Sequence, residues 1–409
     1  MIYFFIAIVC LLIFVEYKIE RRFVNLFSIF AFPYLFLVIV NNFVVYQAGF
    51  YKISDAVLLM VLSALVFFFI GMLLAYPKSY TNIEDVEDGK ILSFYNIKAM
   101  TIILYLIGMI GLLKVGYLYF TGAFSVVNID DMEGVMGNGI VGHLLIFSYS
   151  ILPIVFLYWT YHPKKFHYFI PVLMIVIVAF SSLIKYNVIG VVVTLFIFTI
   201  IYRRSLLKRA VITLISIVVG LFVGNYSLGF FLSDNLQKVE NTFYVNHLWK
   251  YMAGSLIYDN YIFTTGIRTE VSLDYKLMTF LCALPNMFTS KFFDFEMYLH
   301  QKQGFRDVTN IGETSNVTDA IGYIYPSKGD AIEVFFWCTV FIMLGFMSTW
   351  FYKSQISRKN RYSTALAHFL TYFVFFSFFG TFYISPGVWE ILIFSLIVPP
   401  LFYKRTFKK

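Results

Sequence analysis

The chain has 409 residues, 60% of them hydrophobic and 13% charged, with a mean hydropathy of +0.78. A soluble domain carries about 45–50% apolar and about 25% charged residues, so a water-soluble globular class is excluded. The net charge of +8 and pI near 9.1 would suit a nucleic-acid partner. However, Lys and Arg fall in short clusters between apolar stretches, which makes the basic pI a signal of membrane topology and argues for no nucleic acid.

A helix needs about 20 mostly apolar residues to cross a hydrocarbon core of about 30 Å. That window predicts an all-α polytopic membrane protein with about 11 transmembrane helices. They cover roughly residues 2–16, 23–45, 55–76, 98–120, 140–161, 168–183, 187–202, 210–229, 331–352, 362–383 and 388–403. Between 168 and 202 the break falls in Ser181-Ser182-Leu183-Ile184-Lys185-Tyr186-Asn187. No cation precedes the first apolar run and no small-residue cleavage site follows it, so a cleaved signal peptide is not expected. Cys10, Cys282 and Cys338 are odd in number, and two lie inside apolar spans, so a disulfide framework is not expected.

Five basic clusters recur on one side of these spans: Lys18, Arg21 and Arg22; Lys164 and Lys165; Arg203 to Arg209; Lys353 to Arg361; and Lys404 to Lys409. They hold 17 of the 31 basic residues. The positive-inside rule makes that side cytoplasmic, with the N-terminus external and the C-terminus cytoplasmic. The expected organisation is an N-terminal bundle over 1–229, a large external loop over 230–330 and C-terminal spans over 331–409. The loop carries 8 Lys/Arg against 11 Asp/Glu, and its recurring Phe, Tyr, Leu and Ile argue against disorder. Runs at 248–261 and 276–288 are too short or too polar to span and are expected to be interfacial or re-entrant helices.

The most informative stretch runs from Gly312 to Gly329. Ser315 or Asn316 followed by Asp319 predicts a capping-box-like helix start. Pro326 predicts its end near Tyr325. Asn316, Val317, Thr318, Gly322, Tyr325 and Gly329 resemble the Asn-Val-x-Thr, Tyr and Gly pattern that precedes a late span in Wzy-type oligosaccharide repeat-unit polymerases of O-antigen and capsule assembly. Where that family often has Asp and an aromatic before the last Gly, this chain has Ser327-Lys328. The segment Tyr251-Met252-Ala253-Gly254-Ser255-Leu256-Ile257-Tyr258-Asp259 is similar to the family's Tyr-x-x-Gly stretch. Ser181 to Lys185 is similar to its external Ser-plus-basic turn, with Lys185 where Arg is usual, which removes a bidentate phosphate contact.

The resemblance implies a GT-C-like membrane fold on the bacterial inner membrane. It also implies undecaprenyl-diphosphate-linked oligosaccharides as substrates, the lipid bilayer as surroundings, and a flippase and chain-length regulator as working partners. In such a reaction the lipid diphosphate leaves, and cations stabilise its developing charge. Arg268 and Arg306, the loop's two arginines, are the expected clamps, with Lys185, Lys291 and Lys328 behind them. Local pairing with Glu270 and Asp307 is the competing structural role for the two arginines. His247, His300, Glu270, Glu313 and Asp319 are candidates for a base acting on the acceptor hydroxyl. His300 and Glu313 are placed with the arginines in the catalytic set. Tyr251, Asn316, Thr318 and Tyr325 are the expected glycan contacts. The loop shows no Asp-x-Asp pair or His/Cys cluster, so transfer without a metal or other cofactor is expected. Two other readings are an O-antigen ligase, using the same donor, and a lipid-linked oligosaccharide flippase or other transporter. A flippase should line its spans with ionisable groups, whereas here Lys114, Lys185, Glu333, His368 and Glu390 lie near span ends.

Overall fold

The computed structural model describes residues 1–21, 25–76, 90–121, 139–181, 185–232, 243–264, 273–293, 295–298, 305–310, 312, 314–315, 319–326, 330–357 and 362–404. Most of them are helical. Six helices are long and apolar enough to cross a membrane: Ile2–Glu20, Leu26–Phe43, Asp55–Leu74, Ile97–Leu118, Gly139–Tyr161 and Ala331–Gln355. Four of the other predicted spans fall on shorter apolar helices, Phe166–Ser181, Val188–Tyr202, Ser363–Phe378 and Pro386–Leu401. The predicted span at 210–229 falls in a 26-residue helix, Leu207–Leu232. The break expected near Ser181 falls on residues 182–184, outside the described residues, with one helix described up to Ser181 and another from Lys185. The chain divides into two compact units, both discontinuous in sequence.

The first unit combines Met1–Tyr80, Val245–Ser354 and Tyr372–Pro386. Its frame is α1 (Ile2–Glu20), α2 (Leu26–Phe43) and α3 (Asp55–Leu74). The buried Glu16 of α1 accepts the free N–H groups of Phe27 (2.7 Å) and Ser28 (3.0 Å) at the start of α2. Those amides have no intrahelical partner, so the carboxylate acts as a cap supplied in trans. The late helix α14 (Ala331–Ser357) crosses α3 at two glycines. A Cβ at Gly71 would land on the carbonyl of Ile342, and one at Gly345 on the carbonyl of Phe68. Small residues are what lets two membrane helices approach to backbone contact. Phe67 and Trp337, edge to face at 6.1 Å, pack on the same crossing.

The opposite ends of α2 and α3 are tied to the large loop. Tyr51 N–H donates to the Val308 carbonyl at 3.0 Å, and Asn310 N–H to the Gly49 carbonyl at 2.9 Å. Asn260 accepts the Ser54 N–H (2.8 Å) and donates to the Lys52 carbonyl (2.8 Å), while Trp249 Nε1–H donates to Asn41 (2.9 Å). Thus the α2–α3 connection and the loop lie at one end of this unit. Glu20, Tyr76 and Lys353 gather at the other, with Lys353 Nζ 3.2 Å from the centre of the Tyr76 ring.

The second unit combines Thr81–Tyr244, Gln355–Thr371 and Gly387–Lys409. It is built on α5 (Ile97–Phe120), α6 (Gly139–Tyr161), α7 (Phe169–Ser181) and α8 (Lys185–Tyr202), the short α4 (Lys90–Ser93) preceding them and α9 (Leu207–Leu232) following. His368 lies on α15 (Ser363–Phe369), which runs into a π turn, Leu370–Val374. Its Nε2 is 3.1 Å from the Tyr149 carbonyl and its Nδ1 3.3 Å from Thr194 Oγ1. With Nε2–H donating to the carbonyl, Nδ1 is left facing the Thr194 hydroxyl. His143 pairs with Glu390 of α16 (Pro386–Leu401).

Candidate functional site

Within the large loop, helices are present where they were expected, at 248–261 and 276–288. They are α10 (Phe243–Tyr258), the short α11 (Asn260–Thr264) and α12 (Leu273–Phe292). Between them and α14 lie a two-stranded ladder, β1 (Arg306–Asp307) and β2 (Thr314–Ser315), and a one-turn helix, α13 (Ala320–Ile324). β1 and β2 are antiparallel, with Arg306 opposite Ser315 and Asp307 opposite Thr314.

The helix start differs from the sequence expectation. Ser315 is a strand residue, and Asp319 is itself the N-cap, its Oδ1 accepting the Gly322 N–H at 2.6 Å. The capping-box pattern pairs a cap with the residue three positions on. Here Asp319 supplies the cap and the third position is a glycine, whose amide is the orphan donor that needs an acceptor. The helix ends as expected: Tyr325 is extended (φ −59°, ψ 141°) before Pro326.

Two glycines join α10 to the segments that follow. Ser315 packs on Gly254, where an added Cβ would meet Ser315 Oγ at 3.4 Å. The Asp259 carboxyl rests on Gly322, where an added Cβ would lie 2.5 Å from Oδ1 and 2.6 Å from Cγ and Oδ2. Ser255 of the same helix donates to the Phe378 carbonyl at 2.6 Å. Asp259 and Asp319 therefore meet at Gly322, and neither has any exposed surface. Burial, then the neighbouring carboxylate, pushes Asp259 well above the ordinary carboxyl range. Burial also raises Asp319, and the Gly322 N–H chiefly opposes it by stabilising the anion.

Arg306 stands on the wall beside this pair. Its guanidinium lies 5.9 Å from the centre of the Tyr261 ring and interacts with the hydroxyl of Tyr258. Tyr258 is raised by burial and lowered by Arg306. Tyr261 Oη–H donates to the Asp307 carbonyl at 2.9 Å. On α12, Lys276 is buried and donates from Nζ to the Tyr325 carbonyl at 3.1 Å. Burial lowers its pKa to about 8, and the Glu333 carboxylate opposes that shift. The Tyr325 ring sits edge-on between Phe263 (5.2 Å) and Trp337 (5.6 Å).

Of the residues expected from sequence, Arg306, Tyr251, Tyr325, His247 and Asp319 have described side chains. Tyr251 is exposed on α10 beside His247, ring centres 5.1 Å apart. Lys185 opens α8 and Lys291 lies near the end of α12, with the backbone alone described. Arg268, His300, Glu313, Asn316, Thr318 and Lys328 lie outside the described residues, as does Glu270. Asp319, a candidate base, is sealed from solvent and serves as a cap, so it is not open to a substrate hydroxyl. Asp259 and Lys276 were missed as partners in the site. An aspartate directly after the apolar run Leu256-Ile257-Tyr258 is the signal that could have found Asp259. Lys276 carried none, because a lysine on an interfacial helix is ordinarily solvated.

No family model matches the chain, and no curated protein or solved structure is significantly similar to it.

Proposed function

We propose that the chain is a glycosyltransferase acting on lipid-linked oligosaccharides: a polymerase that joins undecaprenyl-diphosphate-linked repeat units on the external face of the bacterial inner membrane. The observation that carries this reading is that Gly254 packs on Ser315, the partner of Arg306 in the ladder, and Asp259 on Gly322, so that residues of the stretches 251–259 and 312–329 meet. These are the stretches that resemble the polymerases, and they are separated by more than fifty residues of sequence. In the reaction an acceptor hydroxyl oxygen attacks the anomeric carbon of the donor sugar. The bond from that carbon to the diphosphate oxygen breaks, the hydroxyl proton goes to a base, and the lipid diphosphate leaves with the electron pair. Arg306 meets that leaving charge in this reading. Its guanidinium is half-buried against Tyr258 and Tyr261, where a cation is screened less than in open water. Arg268 is the second clamp in this proposal.

A secondary transporter is the rival reading, favoured by the burial of Glu16, Glu20 and Glu390 within apolar helices. Deletion followed by glycan analysis separates the two. Single-repeat products identify a lost polymerase, unattached long polymer a lost ligase, and absence of external repeat units a lost flippase. Within the polymerase reading, Arg306→Ala and Arg268→Ala should each abolish chain extension while membrane insertion persists. Full-length polymer in both variants refutes the clamp.

A further inference from the structure

Asp259 ends α10 and Asp319 caps α13, and the two carboxyls converge on Gly322 with no exposed surface. Apart from Asp319 Oδ1, their oxygens are short of donors. Asp259 Oδ1, Asp259 Oδ2 and Asp319 Oδ2 are buried with no hydrogen-bond donor among the described residues, and neither aspartate forms an ion pair with one of them. The titratable groups facing them are phenols: Tyr34 from α2, Tyr258 from α10 itself, and Tyr383 from the segment after the π turn. Tyr34 is fully buried, and its hydroxyl reaches toward Asp319 without completing a hydrogen bond. Arg306, the cation on this wall, is engaged with Tyr258.

Two buried anions side by side with no cation are strongly unfavourable, because like charges repel in a medium that screens poorly and each has lost its water. One hydrogen removes the conflict. It neutralises one carboxyl, supplies the donor that Asp319 Oδ2 lacks, and leaves a single anion whose other oxygen is already held by the Gly322 amide.

We propose that Asp259 and Asp319 are a proton-binding site that holds one proton between them, Asp259 as the acid donating to Asp319 Oδ2, and that this shared proton fastens α13 to the end of α10. The geometry sets the direction of sharing. The Gly322 N–H points at Asp319 and stabilises the anion there, while Asp259 has no donor of its own and takes the proton. Burial raises both groups, and the neighbouring carboxylate raises Asp259 further, whereas the Gly322 N–H and then Asp259 lower Asp319. The consequence reaches beyond the pair. Ser315 pairs with Arg306 in the ladder and packs on Gly254, so α10 is strapped to the ladder at Gly254 and to α13 at Gly322. Losing the proton sets two adjacent buried anions against each other and loosens that strap. Because the folded state binds a proton that the unfolded chain releases, stability falls as pH rises from the ordinary carboxyl range to the pair's upper pKa. Across that window the folding constant drops by as much as tenfold per pH unit. This inference stands on the carboxyl geometry and does not depend on the polymerase reading.

The test uses the full chain in detergent or nanodiscs. Asp259→Asn keeps the shape and supplies an N–H in place of the shared hydrogen, so the variant should fold, and its melting temperature should fall less than that of wild type between pH 6 and pH 9. Infrared difference spectra should show a protonated-carboxyl C=O band in wild type at neutral pH that is lost in Asp259→Asn and equally in Asp319→Asn. Should either variant fail to fold, the other supplies the same comparison. An alkaline profile in Asp259→Asn identical to wild type, or a protonated-carboxyl band unchanged in the amide variants, overturns the proposal.

Discussion

Replacing Gly322 by alanine places a methyl carbon 2.5 Å from Oδ1 and 2.6 Å from Cγ and Oδ2 of Asp259, where ordinary contact begins at 3.4 Å. The shortfall is about 0.8–0.9 Å, and Asp259, short and fully buried, has no solvent-facing rotamer to take up. Overpacking of this kind costs about 1–3 kcal/mol. Against it, alanine returns at most about 1 kcal/mol of helix propensity, and less in a single helical turn. Gly254→Ala is the internal control, since it joins the same two segments. Its added methyl would meet Ser315 Oγ at 3.4 Å, Ser315 Cβ at 3.5 Å and Lys250 Cγ at 3.9 Å, all tolerable, in the middle of a 16-residue helix. That variant should be neutral or up to about 1 kcal/mol more stable. For a unit of this size a kilocalorie moves the melting temperature by about 2–4 °C. The two variants should therefore separate clearly in thermal unfolding followed by intrinsic fluorescence in one detergent. If Gly322→Ala melts with or above Gly254→Ala, the Asp259 carboxyl does not rest on Gly322 and the closure of the strap is wrong.

Lys276 should show the opposite pH dependence to the aspartate pair. Its folded pKa near 8 lies below the ordinary 10.5, so the folded state binds fewer protons and wild type gains stability relative to Lys276→Gln as pH rises from about 8 to 10.5. The gain is at most roughly 3 kcal/mol. Parallel melting curves across that window would show that the lysine is solvated. At the crossing of α3 and α14, Gly71→Leu or Gly345→Leu should strongly reduce folded yield, because each side chain must displace a backbone carbonyl of the facing helix; wild-type yield and melting temperature in both would refute the close crossing. The predicted external position of the loop is best probed at Asn310, which is exposed, because its neighbour Thr309 is 1% exposed. In a cysteine-free background Asn310→Cys should react with an impermeant thiol reagent in intact spheroplasts, and labelling after lysis alone would reverse the orientation.

The sequence by itself determined what depends on local composition. Apolar runs bounded by charge marked the helices, because burying a backbone in hydrocarbon leaves helix as the structure that satisfies its own hydrogen bonds. The helices α10 and α12 and the stop before Pro326 follow from equally local chemistry. The feature read most closely, the start of the helix near Asn316, was legible in kind but shifted in place. Whether Ser315 caps a helix or pairs in a strand depends on its partner Arg306, nine residues earlier. Tertiary structure alone decided that Asp259 and Asp319 meet, that Lys276 reaches the carbonyl of Tyr325, and that Glu16 of one span caps another. Each is a contact between residues far apart along the chain or on different elements, made because a buried polar group must find a partner. Periodicity carries no record of which distant group that partner is.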